Sequence, residues 1–313
     1  MPIPFTKMHG CGNDYLFVDA FSDARLEALD WPALTRAMSQ RHTGVGSDGV
    51  ILLCAPAPTH APDEGAHLRM RIFNADGSEA EMCGNGVRCL AKFAVDRLAL
   101  PRTLRVQTGK GIVIVTCAPS AGPVLRARVD MGAPLFDLAA IPVAEAGLAW
   151  TDRPHEAILH LPHANPIATF VSMGNPHAVI FVCAPNLNRS APPRGAPDPD
   201  LPARLTDIAL ERLGPQIEKH RAFPRGANAH FVECASQTEA SMRTWERGSG
   251  ATQACGTGAC AVLVAGVLTG RLARRALLRV PGGALEVEWD ERTNHVLLTG
   301  PAVHVCDGEW PHE

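Results

Sequence analysis

Two cysteines stand in the same short frame of this 313-residue chain, Cys83-Gly84-Asn85-Gly86 and Cys255-Gly256-Thr257-Gly258. Each frame leads into a stretch of helical composition, Val87–Leu98 and Ala259–Leu272, so each cysteine is expected at a helix start. The first backbone N–H groups of a helix lack partners within it and carry partial positive charge. They stabilise a thiolate and lower a thiol pKa from its reference of about 8.5. The glycines let a ligand approach the backbone, so the same N–H groups can hold a carboxylate. One such loop offers a base and an anion clamp; two offer two bases for one bound carboxylate. That fits inversion at a carbon next to a carboxylate, one thiolate removing the α-proton and the opposing thiol supplying a proton to the other face. No electron sink is evident, so stabilisation must come from helix termini aimed at the carboxylate, in a site that excludes water. The two thiols should then titrate as one coupled pair.

The elements that would carry these loops are written twice. Without a gap, RIFNADGSEAEMCGNG from Arg71 aligns with RTWERGSGATQACGTG from Arg243, setting Phe73 on Trp245 and Glu81 on Gln253. Upstream, Gly12-Asn13 and Gly174-Asn175 each lead into a strand-like run, and downstream of each helix two strand-like runs flank a glycine turn (Gly109-Lys110-Gly111; Gly282-Gly283). Each half closes on a strand and a glycine, Arg128–Gly132 and Val296–Gly300. Alternating, β-branched strands with short connections favour mixed or antiparallel sheet over a βαβ array. The expectation is an α+β fold of two pseudo-twofold-related domains from an internal duplication. Each would be a barrel-like mixed or antiparallel sheet around one central helix, with the active site in the interdomain cleft. The domains are expected at 1–130 with the C-terminal segment 301–313, and at 131–300. The proline- and arginine-rich stretch Ala184–Leu205 reads as an exposed insertion in the second.

Composition excludes several classes. A hydrophobic share of 46% and a charged share of 19% belong to a folded, soluble protein. A net charge of −3 recommends neither nucleic acid nor an anionic membrane as partner. The opening MPIPFTKMHG lacks a signal-peptide pattern and the longest apolar run, Ala259–Leu268, is too short to span a bilayer, so a cytoplasmic protein is expected. The ten cysteines include no C-x-x-C pair, which argues against a zinc ribbon, and most are expected as buried thiols, Cys89 and Cys260 among them. Lysine occurs only at Lys7, Lys92, Lys110 and Lys219, which narrows the candidates for a pyridoxal Schiff base. No cofactor and no metal are expected.

KMHGCGND (Lys7–Asp14), FNADGSEAEMCGNGVRC (Phe73–Cys89), SMGNPH (Ser172–His177), ERGSGATQACGTGAC (Glu246–Cys260) and PGG (Pro281–Gly283) resemble the motifs of the diaminopimelate epimerases and lie along nearly the whole chain. The resemblance implies two similar domains, each a sheet wrapped around a helix. It implies the interconversion of LL- and meso-diaminopimelate on the route to lysine and peptidoglycan precursors, without pyridoxal phosphate. It implies Cys83 and Cys255 as the acid–base pair, and Gly84-Asn85 and Gly256-Thr257 as holders of the reacting carboxylate. Asn13 and Glu246 would meet the reacting amino group, and Asn74, Asn175, Asn228 and Arg247 the distal amino-acid end. Arg247 suits a carboxylate because its fork binds one bidentately. Glu246 and His177 would tune the thiols. The resemblance also implies a homodimer.

Two departures stand out. Gly49 follows Asp48 where some members place a ligand-contacting glutamine, and Cys306 stands where members often carry a dimer-stabilising tyrosine. A proline or hydroxyproline racemase, with a related two-cysteine scheme, remains an alternative, but it would leave Arg247 and the asparagines without a task. A thiol redox protein remains another, although redox work does not require duplicated carboxylate clamps.

Overall fold

The computed structural model describes residues 2–58, 65–139, 141–145, 148–182 and 201–312. The chain divides into two compact units, Met1–Asp130 with Thr299–Glu313, and Met131–Leu298.

The first unit runs β1 (Ile3–Gly10), β2 (Asn13–Asp19), α1 (Trp31–Met38), β3 (Gly49–Cys54), β4 (Leu68–Asn74), β5 (Glu79–Ala80), α2 (Gly84–Leu98), β6 (Thr103–Thr108), β7 (Gly111–Cys117) and β8 (Arg126–Asp130). The second runs β9 (Ala149–Trp150), β10 (Glu156–Ile158), β11 (Ile167–Ser172), β12 (Pro176–Val182), α3 (Leu210–Glu218), β13 (Asn228–Ser236), β14 (Glu239–Glu246), β15 (Gly250–Thr252), α4 (Gly256–Leu268), β16 (Arg275–Val280) and β17 (Gly283–Trp289). In β18 (Val296–Pro301) the chain leaves the second unit, and β19 (Val303–Trp310) pairs antiparallel with β1.

The pairings repeat step for step. In the first unit β1–β2 is antiparallel, β2–β3 parallel, β3–β4 and β4–β5 antiparallel, β4–β6 parallel and β6–β7 antiparallel. In the second, β11–β12, β12–β13, β13–β14, β14–β15, β14–β16 and β16–β17 follow the same sequence of orientations. Register carries the repeat to single residues. Phe17 pairs with Ile51 and Ile51 with Ile72, as Val179 pairs with His230 and His230 with Thr244. The fold is therefore a duplicated, sheet-dominated α+β architecture.

Each sheet curls around its helix. The α2 helix touches β1, β2, β3, β7 and β8, and α4 touches β11, β12, β13, β16 and β17. The α4 sequence GTGACAVLVAGVL is apolar nearly all round and buried from Gly258 to Gly266, as an enclosed helix must be. Cys89 and Cys260 lie inside these helices at 1% and 0% exposure, so their thiols are core residues as expected. Burial pushes Cys89 up to about 12, out of reach of chemistry near neutrality.

Two details go beyond the expected architecture. Each unit holds a second, shorter helix: α1 lies against β3 and β4, and α3 against β13, β14 and β15. Asp30 caps α1 by accepting the Ala33 N–H at 3.1 Å, and Trp31, Leu34 and Met38 fill the first core from it. Of the stretch Ala184–Leu205, residues 184–200 lie outside the described residues; Ala203 and Arg204 are exposed, and the chain turns inward at its last residue. Leu205 is buried in the second core and its N–H donates to Glu233 Oε2 at 2.8 Å.

Candidate active site

Cys83 is the N-cap of α2, with extended backbone (φ −139°, ψ 119°), and its Sγ accepts the Gly86 N–H at 3.4 Å. The sulfur thus meets one of the donors that a helix start leaves over. The Cys83 thiol lies 3.5 Å from Asn13 Oδ1, which also accepts Asn85 Nδ2 at 3.2 Å. Asp48 fixes Asn13 from behind, its Oδ2 accepting the Asn13 amide at 2.7 Å and the Asp14 N–H at 3.0 Å. Arg41 in turn donates to Asp48 Oδ1 at 2.9 Å.

The first turn of α2 is braced by Arg88, which is fully buried. It donates to Gly84 O at 2.9 Å, to Asn85 Oδ1 at 2.8 Å and to Pro301 O at 3.3 Å. Tyr15, the only tyrosine in the chain, is buried near Cys83 and Asn13. Its phenol is raised well above the ordinary value, first by burial and then by the neighbouring Cys83.

In the second unit Cys255 caps α4 in the same way (φ −116°, ψ 111°), its Sγ accepting the Gly258 N–H at 3.3 Å. Its surroundings differ. Thr257 Oγ1 lies 3.6 Å from the sulfur, and the Glu246 carboxylate, at the end of β14, acts on the thiol as a nearby negative charge. Glu246 also accepts Thr252 Oγ1 at 2.5 Å. Cys255 is only 4% exposed, and its thiol is raised well above the ordinary value, first by burial and second by the Glu246 carboxylate. The helix-start N–H and Thr257 pull the other way and are outweighed. The lowering expected from the helix start alone is therefore overturned at Cys255, where loss of hydration is the larger effect.

His177 is fully buried on β12, its Nε2 2.9 Å from Asn175 Oδ1 and its Nδ1 2.8 Å from His230 Nε2. The Asn175 amide reaches Thr257 Oγ1 at 3.4 Å, so Asn175 stands among the groups around Cys255. Other expected residues make hydrogen bonds elsewhere. Asn74 donates to Ser78 Oγ at 3.0 Å in the turn after β4. Asn228 is buried with both ends of its amide engaged, donating to Pro176 O at 3.0 Å and accepting the Arg247 N–H at 2.9 Å. It braces two backbone segments, and each end of the amide keeps capacity for one more hydrogen bond. The Arg247 guanidinium is exposed and donates to Arg225 O at 3.0 Å. Gly84 and Gly256 are the first, buried residues of their helices. A Cβ at Gly49 would overlap the Phe73 carbonyl and press on the Tyr15 ring at 3.0 Å, so no side chain fits there.

Reasoning from sequence missed Tyr15, Asp48, Arg88 and His230. The repeat held a signal for the first: counted from Gly12-Asn13 and Gly174-Asn175, Tyr15 falls on His177. Among the described residues no group of His, Cys, Asp or Glu is arranged to hold a metal ion, and no helix is long and apolar enough to cross a membrane.

Fold and loops together define an α+β protein of duplicated units with a cysteine cap at the head of each central helix. The sequence profile of the diaminopimelate epimerases matches residues 5–136 and 169–305. The diaminopimelate epimerase of Agathobacter rectalis is 44% identical over 310 residues, covering 97% of this chain and 98% of its own. That of Desulfovibrio desulfuricans is 43% identical, covering 98% and 97%. A hydroxyproline epimerase from Agrobacterium vitis superposes with a TM-score of 0.64 at 14% identity, covering 99% of this chain and 92% of that one. At that identity the likeness is one of fold. The chain belongs to the diaminopimelate epimerase family.

Proposed function

We infer that the protein is a diaminopimelate epimerase, an isomerase of lysine biosynthesis, and we propose that it works by proton transfer through Cys83 and Cys255. The observation that carries the reading is the pair of cysteine N-caps, each sulfur taking a helix-start N–H, at matching positions of a duplicated unit. Full-length similarity to diaminopimelate epimerases supplies the substrate.

In this reading one thiolate removes the α-proton and the other thiol delivers a proton to the opposite face. Each turnover leaves the pair with exchanged protonation, and the reverse turnover restores it. N–H groups of the first turns, from Gly84-Asn85 and Gly256-Thr257, hold the reacting carboxylate where negative charge grows. Asn13, fixed by Asp48, and Glu246, fixed by Thr252, meet the reacting amino group. Glu246 also keeps Cys255 protonated until a proton is needed, which is how a mixed thiol–thiolate pair is secured. Arg247, whose side chain is exposed, takes the distal carboxylate, with Asn74, Asn175 and Asn228 beside the distal amino-acid end. A homodimer is part of the same proposal, tested by sedimentation at assay concentration.

The deciding experiment follows α-hydrogen exchange in deuterated water with LL-diaminopimelate and with L-proline in parallel. Exchange with inversion for diaminopimelate alone is expected. Exchange of proline instead would move the assignment to the racemases, and exchange of neither would overturn it.

A further inference from the structure

Beneath α4 runs a chain of polar groups, of which the buried His177, His230 and Thr244 are left unused by the reaction scheme above. His230, on β13, is fully buried, with its Nδ1 2.9 Å from Thr244 Oγ1 on β14 and its Nε2 2.8 Å from His177 Nδ1 on β12. His177 Nε2 lies 2.9 Å from Asn175 Oδ1, Asn175 Nδ2 lies 3.4 Å from Thr257 Oγ1, and Thr257 Oγ1 lies 3.6 Å from Cys255 Sγ. Five contacts thus join Thr244 to the sulfur through His230, His177, Asn175 and Thr257.

The direction of every bond follows from one end. An amide oxygen only accepts, so His177 Nε2 carries the hydrogen given to Asn175 Oδ1. Full burial disfavours a charged ring, so His177 is neutral and its Nδ1 is an acceptor. His230 Nε2–H must then be the donor to it, which leaves His230 Nδ1 to accept the Thr244 hydroxyl. At the other end Thr257 Oγ1 accepts the Asn175 amide hydrogen, which turns its own O–H away from Asn175 and allows it to point at Cys255 Sγ, as it must once that sulfur is a thiolate with no hydrogen to give. We propose that His230 is a positioning residue that holds His177 in its Nε2–H tautomer and, through Asn175, aims the Thr257 hydroxyl hydrogen at the Cys255 sulfur.

Such a hydrogen favours the thiolate when Cys255 gives up its proton, and it opposes burial and Glu246, which favour the thiol. The ionisable groups at this end of the second unit are Glu246 from β14, His177 from β12, His230 from β13 and, further along α4, Cys260. Burial takes His230 down to about 3, so the relay keeps one proton order across the neutral range. Packing fits the role. A Cβ at position 258 would overlap the His230 ring and come to 2.9 Å from Nε2, so the last glycine of C-G-T-G is what admits the imidazole against the helix. The inference rests on Cys255 as an acid–base thiol, but its test reads ring protons and thiol reactivity, not turnover.

In protein labelled with ¹⁵N-histidine, long-range ¹H–¹⁵N correlations should show His177 and His230 both as Nε2–H tautomers from about pH 6 to about 9. The Nδ1–H form of either ring, or an imidazolium at His177, would overturn the proton order. The variants His230→Gln, whose amide can replace the Nε2–H donor, and His230→Leu, which cannot donate, separate positioning from packing. In a Cys83→Ser background, Leu should raise the pH midpoint of Cys255 alkylation by about one unit, a roughly tenfold loss of thiolate, while Gln stays near the parent. Equal behaviour of Gln and Leu would sink the proposal, and if Leu fails to fold, the wild-type spectrum decides it. Should alkylation shift while epimerisation is untouched in the Cys83 parent, the relay stands and the reading of Cys255 as catalytic falls.

Discussion

The two cysteine caps share a backbone frame and almost nothing else. In the first unit the positions behind the loop are Tyr15, Ile51 and Ile72; in the second their pairing partners in the repeat are His177, His230 and Thr244. Asn74 of the first unit falls on Glu246 of the second, so a carboxylate stands beside Cys255 where the matching side chain at Cys83 is a neutral amide bound to Ser78. One thiol is backed by a phenol, an amide and two isoleucines, the other by a carboxylate, a hydroxyl and a polar relay. Duplication supplies two identical helix starts, and divergence of the side chains behind them makes the two thiols unequal, so that the surroundings as well as mutual repulsion bias which of a coupled pair would hold the proton.

The strongest way to break this comparison is to remove each sulfur in turn. Cys83→Ala and Cys255→Ala should each lower epimerisation on the order of 10³-fold or more, since one thiol serves only one face of the carbon. Circular dichroism should show both variants folded. Near-normal turnover by either would make the second cap an ornament of the fold.

Next in size is the charge that separates the two sites. Glu246→Gln removes the second-largest cause of the raised Cys255 thiol and leaves the largest, burial, in place. The alkylation midpoint of Cys255 should therefore fall, yet stay above that of a free thiol. Epimerisation should drop about 10²-fold as the pair loses its unequal protonation. A midpoint that rises, or does not move, would mean that the carboxylate does not act on this sulfur.

The parts legible in the sequence were the local ones. A cysteine, two glycines and a helical run at fixed offsets describe an N-cap, because capping is decided within four residues. The repeat then exposed the shared strand order. What stayed hidden depends on register and enclosure. His230 and Thr244 are ordinary strand residues until β13 is paired with β12 and β14, and Tyr15 reads as one more aromatic until Asn13 and Cys83 close around it. At Cys255 the opposed pulls of the helix start and of Glu246 were legible, but the largest effect, burial, is not visible in a sequence. The helix α3 carries Pro215 within it and has no side-chain cap, so the usual start and stop signals were missing.

Glycine substitutions sharpen the comparison without replacing a titratable group. At Gly86 a new Cβ would meet the terminal methyl of Ile51, which can turn aside; at Gly258 it would meet the His230 ring and come to 3.0 Å from Cys255 Sγ. Alanine is favoured over glycine inside a helix by up to about 1 kcal/mol, so Gly86→Ala should be near neutral in urea denaturation. Gly258→Ala should lose roughly 1–3 kcal/mol, as overpacked cores do. Equal losses at the two sites would show that His230 is not wedged against α4 as described.

The smallest expected effect concerns β19, the C-terminal strand paired with β1 in the first unit. Asp307 on this strand accepts Thr6 Oγ1 at 2.7 Å, Arg97 Nη2 at 2.8 Å and His304 Nε2 at 3.1 Å, linking β19 to β1 and to the end of α2. The Arg97 hydrogen bond is the main cause that takes its carboxyl down to about 2, with Thr6 and His304 adding to it. A carboxyl depressed in the folded state stabilises above its unfolded pKa, and that stabilisation drains away as pH falls through the folded value. The contribution is thus complete above about pH 4 and lost on descending toward about pH 2. Half of the Asp307 side chain is exposed, so solvent screening holds the gain to that of a surface pair, at most about 1 kcal/mol. Asp307→Asn should accordingly lower the urea midpoint slightly at pH 7, and the gap to the parent should close as the pH is taken from about 4 downward. A gap that stayed constant across that range would place its origin in shape rather than charge, and the C-terminal strand would then owe its seat on the first unit to backbone pairing with β1 alone.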